Sequence, residues 1–147
     1  MKQSLAILAI AAALAAAGTA QAADHEIRML NRGEKGTMVF EPAFVEAQPG
    51  DTIHFIAADK GHNAETIKGM LPDGVEGFKG KINQDIAYQV EAEGIYGIKC
   101  APHYGMGMVA IIRVGEPVNA AEAQAVRHPG RAAAVMGELL GMAVAAN

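Results

Sequence analysis

The sequence predicts an all-β fold, an antiparallel sandwich or barrel, followed by two α-helices at the C-terminus. Short runs of alternating and β-branched residues recur between residues 25 and 114. Proline and glycine clusters separate those runs. Helical spacing of apolar residues begins only after Pro117.

The first segment is excluded from the fold. Lys2 supplies a positive charge, residues 5–17 form a short apolar stretch, and Ala20-Gln21-Ala22 has the small-x-small pattern of a signal-peptidase site. The apolar run is shorter than the roughly 20 residues a membrane span needs, so it predicts export rather than anchoring. Cleavage after Ala22 takes 22 of 147 residues and leaves 125. The expected organisation is a signal over 1–22, a β-sandwich domain over 23–116 and a helical extension over 117–147. Removing Lys2 from the 12 basic residues leaves 11 against 16 acidic ones, a net charge of −5. That balance argues against a nucleic-acid partner.

Residues 25–30 alternate, and Gly33 and Gly36 bracket a turn before a second strand at 37–40. Pro42 breaks the run, and extended structure resumes over 44–47. Pro49-Gly50 fits a type II turn. Over 52–57, Ile53, Phe55 and Ala57 share one face. Residues 59–81 read as a glycine-rich passage with a turn at Pro72-Asp73-Gly74. Further strands are expected around Ile86, Tyr88 and Val90, then over 95–100 and 108–114, for seven or so in all. Asn119, with Glu122 three residues on, predicts a capped helix reaching about Arg127. Pro129-Gly130 ends it, and Ala132, Val135, Met136, Leu139, Leu140 and Ala143 predict an amphipathic helix packed on the sheets.

The chemistry concentrates in Cys100-Ala101-Pro102-His103-Tyr104-Gly105-Met106-Gly107-Met108. Cys100 is the only cysteine, so an exported chain carries one thiol without a disulfide partner. His62 stands 38 residues upstream, just past another strand. Taken singly, each of these residues has an ordinary role: a surface histidine, a core methionine, an inert buried thiol. Together, two imidazoles, a thiolate and a thioether are the donor set of a blue copper site. Sulfur donors favour Cu(I) and imidazole accepts both oxidation states, so His62, Cys100, His103 and Met108 are the candidate ligands. Gly105 and Gly107 are expected to permit the turn and Pro102 to stiffen it. Asn63 is expected to tie the two ligand loops together, and backbone N–H groups to reach the Cys100 sulfur. His25, His54 and His128 have no cysteine or methionine at ligand spacing and are read as structural or solvent-facing.

At these residues the chain resembles the pseudoazurins, blue copper proteins of the cupredoxin superfamily. The likeness is carried by residues 49–53 leading to His62-Asn63, by 77–83, by 99–108 and by the two-helix tail. It implies a cupredoxin-like antiparallel β-sandwich or Greek-key barrel, one type 1 copper per chain, and a carrier that is not an enzyme; a small diffusing carrier is expected to be a monomer. It implies a periplasmic shuttle of single electrons in denitrification, with copper nitrite reductase, cytochromes or nitrous oxide reductase as partners. It also implies that electrons leave at the His103 edge. Met38, Pro102 and Met106 would surround that edge, ringed by Lys60, Lys79, Lys81 and Lys99. A basic face on an acidic carrier would steer it onto an acidic partner. The competing readings are a copper or zinc protein without redox work, a copper chaperone, and a cysteine hydrolase. Zinc sites rarely use methionine, and nothing in the sequence supplies a hydrolase's orienting group or oxyanion hole.

Overall fold

The computed structural model describes residues 20–145. Most of the expected signal segment, residues 1–19, lies outside the described residues. Eight strands follow: β1 (Asp24–Gly33), β2 (Gly36–Glu41), β3 (Phe44–Ala47), β4 (Thr52–Ile56), β5 (Glu65–Thr66), β6 (Ile86–Gln89), β7 (Gly94–Lys99) and β8 (Val109–Val114). Two helices, α1 (Ala120–Ala125) and α2 (Ala132–Ala145), complete the chain.

The strands form two four-stranded sheets, ordered β2-β1-β4-β6 and β3-β8-β7-β5. They face each other as a sandwich and do not close into a barrel. The expectation of a purely antiparallel arrangement is corrected here, because β1 runs parallel to β4 and β3 parallel to β8. The cause is the route of the chain. After β3 the Pro49-Gly50 turn, with Gly50 at φ 97°, carries the backbone from one sheet to the other, and β4 enters beside β1 in the same direction.

Period-2 patterning sets the main core. Ile27 and Met29 from β1, Ile53 and Phe55 from β4, and Tyr96, Ile98, Ala110 and Ile112 from the opposite sheet fill the space between the layers. β7 and β8 are buried on both faces, because α1 and α2 cover the outside of their sheet. There Ile95, Val109 and Ile111 meet Ala132, Met136, Leu139, Leu140 and Ala143 in a second core. The helical stripe read from the sequence therefore packs on the sandwich.

Three local expectations change. The passage over 59–81 contains β5, two residues long, which pairs with Ile98 and Lys99. Farther along β7 the same edge is paired by loop atoms, with Ile67 N–H donating to Gly97 O and Gly97 N–H to Met70 O. Asn119 makes no capping bond to α1. Its amide instead pairs with Ile95 like a strand residue, Oδ1 accepting from N–H at 2.7 Å and Nδ2 donating to the carbonyl at 2.9 Å. A short strand leaves backbone groups open, and satisfying them outweighs a helix cap. The helix ends at Ala125, short of Arg127, where Val126 turns to extended backbone.

Asp51 fixes the start of β1. Its buried carboxylate accepts from Ala23 N–H, Gln48 N–H and the His25 ring at 2.8, 2.9 and 2.7 Å. The Ala23 and Gln48 N–H groups, then His25, hold its pKa down to about 2 from 3.8. A carboxyl lowered on folding stabilises the fold above its unfolded pKa and loses that contribution as pH falls. Asp51→Asn should lower the unfolding free energy by about 1.5–3 kcal/mol at neutral pH. Denaturant melts should show the gap to wild type narrowing as pH drops from 3.8 towards 2.

Candidate metal centre

The two segments that carry candidate donors leave the same end of the sandwich. One is the passage after β4, with His62 at its tip. The other links β7 to β8 and holds Cys100, His103 and Met108. It contains a 3₁₀ segment, Ala101–Met106, where the sequence predicts only a loop. Pro102 sits in its first turn, where a missing N–H costs nothing. Gly107 closes it at φ 94°, as a left-handed residue must. Gly105 is not in that region, and a Cβ there would meet nothing within 4 Å, so the turn does not require glycine at 105; the constrained residue is Gly130, at φ 52°, where a Cβ would meet Gly105 O at 2.5 Å.

The donors of three residues converge. His62 Nδ1 and His103 Nδ1 lie 3.1 Å apart, and Cys100 Sγ lies 3.8 and 3.5 Å from them. The potential ligand atoms of this group all fall within 4.8 Å of one another. An ion bonded to imidazole nitrogen at about 2.0–2.1 Å and to thiolate at about 2.3 Å spans separations of this order. Two imidazole nitrogens and a thiol sulfur this close can turn their lone pairs to one shared cation, so the donor set fits a metal. Met108 is fully buried and tied to both neighbours, its N–H donating to His103 O at 3.2 Å and its carbonyl accepting Cys100 N–H at 3.0 Å.

Protonation is arranged by residues farther out. His62 Nε2 lies 2.8 Å from Asn31 Oδ1, which can only accept, so Nε2 carries the proton and Nδ1 presents its lone pair. Burial first, then the neighbouring His103, lowers the His62 pKa and keeps the ring neutral. Burial pushes the Cys100 thiol up, while the N–H groups of Asn63 and His103 favour its thiolate. A bound cation would complete the deprotonation.

Asn63 bridges the two segments. Its Oδ1 accepts from Ala101 N–H at 2.7 Å, and its Nδ2 donates to Glu65 and to Gly80 O. Asn83 steadies the His62 tip, its N–H donating to His62 O at 2.9 Å and its Oδ1 accepting from Gly61 N–H at 2.7 Å. Asn31 was not singled out from the sequence, although a signal existed. Continuing the inward positions 27 and 29 places an amide at an apolar station. At that point the β1–β2 register skips the Asn31–Met38 pair, Met38 takes φ 53°, and Asn31 N–H donates to Asp59.

The surface residues separate. Lys60, Lys79, Lys81 and Pro102 are exposed, Met106 is half-exposed, and His103 is half-buried. Met38 and Met106 line one cleft of about 370 Å³ between β2 and α2. Lys99 is engaged, with Nζ 3.4 Å from Glu65 and 4.9 Å from the centre of the Tyr104 ring. Of the other histidines, His25 meets Asp51, His54 meets Asp24, and His128 Nδ1 meets the Tyr104 hydroxyl at 2.6 Å. None of the three joins the donor cluster.

A two-sheet sandwich with this buried N, N, S cluster at one end defines a cupredoxin-type copper-binding protein. Residues 27–115 match the family described as copper binding proteins, plastocyanin/azurin family. A pseudoazurin of Paracoccus pantotrophus is 54% identical over 125 residues, covering 84% of this chain and 86% of its own length. The solved pseudoazurin of Methylobacterium extorquens superposes with a TM-score of 0.78 at 45% identity, covering 81% of this chain and 98% of that one. That of Hyphomicrobium denitrificans gives 0.79 at 40% identity, over 82% and 98%. The chain belongs to the pseudoazurins, blue copper electron carriers rather than enzymes.

Replacing Asn31 with Ala should free His62 Nε2 and weaken metal affinity by about 10–100-fold, the usual cost of losing such a partner. Competition with a calibrated chelator measures it. An unchanged affinity would show that the ring is oriented without Asn31.

Proposed function

We propose that this chain is exported to the periplasm after cleavage at Ala22 and carries single electrons to copper nitrite reductase. His62, Cys100, His103 and Met108 hold its copper. The observation that carries the ligand assignment is the convergence of two Nδ1 atoms and one Sγ within 4.8 Å, beside the buried Met108. Lys2, the apolar run over 5–17 and Ala20-Gln21-Ala22 support export. Membership of the pseudoazurins and the implied role in denitrification support the reductase as partner.

Copper, when bound, supplies one-electron oxidation and reduction. The chain's residues supply a centre that hardly needs to move. Asn31, Asn63 and Asn83 fix the donors through their own hydrogen bonds, without relying on an ion. His62, Cys100 and Met108 are shut off from water. Only His103 reaches the surface, between the exposed Pro102 and Met106, and it is the proposed exit for electrons. Exposed Lys60, Lys79 and Lys81 support docking on an acidic partner.

Oxidised, copper-loaded protein should show an intense thiolate-to-copper absorption. A colourless protein would favour the non-redox alternative. Met108→Gln should retain copper and shift the reduction potential, since the axial donor tunes the metal. Voltammetry that finds no shift would reject Met108 as that donor.

Lys79→Glu and Lys81→Glu should each slow association with the reductase at low salt without altering the spectrum. Lys99→Glu should slow it less, its charge being already engaged by Glu65. Stopped-flow rates with no dependence on residues 79 and 81 would discard this docking face.

A further inference from the structure

The start of β1 holds a cluster that the copper centre does not use. The backbone nitrogen of Ala23 lies 2.8 Å from Asp51 Oδ1, and His25 Nε2 lies 2.7 Å from Oδ2 of the same carboxylate. The nitrogen of residue 23 and the ring of residue 25 therefore converge on one group. Ala23 and Asp24 are exposed. This stretch is held from one side only, because β1 pairs with β4 from Asp24 but with β2 only from Arg28.

Cleavage after Ala22 would turn the Ala23 nitrogen into a free α-amine, with histidine as the third residue of the new chain. Such a start offers four nitrogens in sequence: the amine, the amides of the second and third residues, and Nδ1 of the histidine ring. They close fused five-, five- and six-membered chelate rings around an ion in one plane. Tetragonal nitrogen sets select Cu(II) and Ni(II).

We propose that processing creates a second metal site, a square-planar Cu(II) site formed by the α-amine of Ala23, the backbone nitrogens of Asp24 and His25, and His25 Nδ1. It rests on the reading that cleavage falls after Ala22. Binding expels the ammonium proton and both amide protons to solvent, breaks the contact of Ala23 with Asp51, and lifts Asp24 and His25 off β4. The ladder from Ile27 onward stays paired. Asp51 engages Nε2, the ring nitrogen the chelate does not need, and so can hold a ligating histidine in the familiar carboxylate–histidine–metal arrangement. Asn31, which serves His62, stands six residues beyond His25 along β1, about 20 Å away. The two centres share no donor.

The test adds Cu(II) to the copper-loaded mature protein after its intact mass has been read. The expected mass is that of a chain beginning at Ala23. One further Cu(II) should bind per chain, with the electron paramagnetic resonance signature of four in-plane nitrogens and an unchanged blue absorption. His25→Gln should abolish that uptake. Asp24→Pro should do the same by removing a required amide proton, at a strand start where proline is tolerated. The blue absorption reports that each variant is folded. His54→Gln should leave uptake intact. A mass that begins elsewhere overturns both the processing reading and the site. A chain that begins at Ala23 yet takes up no second ion, or takes it up equally after His25→Gln, overturns the site alone.

Discussion

The side chain of Asn63 is the interaction on which the rest of the centre depends. Its carbonyl oxygen accepts from Ala101 N–H at 2.7 Å and its amide nitrogen reaches Gly80 O and Glu65. One buried amide thereby joins three stretches of chain that approach from different strands. Without that bond, the His62 tip and the Cys100 segment would keep the β5–β7 pairing, the Lys99–Glu65 ion pair and the donor contacts themselves, but no buried backbone-to-side-chain tie between them. With it, the separation between His62 and Cys100 is set locally and next to the donors. Burial strengthens the effect, because a buried amide has no water to turn to if the loops part.

The sandwich supports that arrangement by asymmetry. The sheet of β3, β8, β7 and β5 is covered on both faces, by its partner sheet and by the helices. The Cys100 segment springs from its two central strands, β7 and β8, which are its most buried part. Asn31 and the passage carrying His62 come from the more exposed sheet, whose outer face is solvated. A metal site spanning both layers thus has one rigid wall and one held by hydrogen bonds.

Much of this was legible in the sequence, for identifiable reasons. Residues 44–47 form β3 as read, because a proline on each side leaves little choice. His62, Cys100 and His103 come together as their chemistry suggested, since a lone thiol beside histidine and methionine is a rare combination. Less legible was whatever depends on distant pairing. β5 exists only because β7 offers it an edge, and its two residues carry no periodicity of their own. The parallel pairs depend on which sheet the chain enters after Gly50, a choice no local pattern records. Asn119 looked like a helix cap because its neighbours fit that role, but open backbone groups on β7 drew its amide away. Gly105 read as a residue the turn requires, yet its own Cβ position is open; the glycine demanded there is Gly130, which packs on the Gly105 carbonyl from 25 residues later in the chain.

That last contact bears on how far the ligand segment is a separable part. Gly105 O accepts Arg131 N–H at 2.9 Å, Tyr104 is bonded to His128, and the side chains of Arg131 and Val135 lie against Gly107. The helical tail is therefore the outer half of the mould in which the ligand segment is cast. A segment of different length, transplanted from another copper carrier, would inherit the sandwich but lose its fit to the tail. In this chain, the interval from Cys100 to Met108 and the tail beyond Pro117 are two pieces of one unit that evolution or design must alter together.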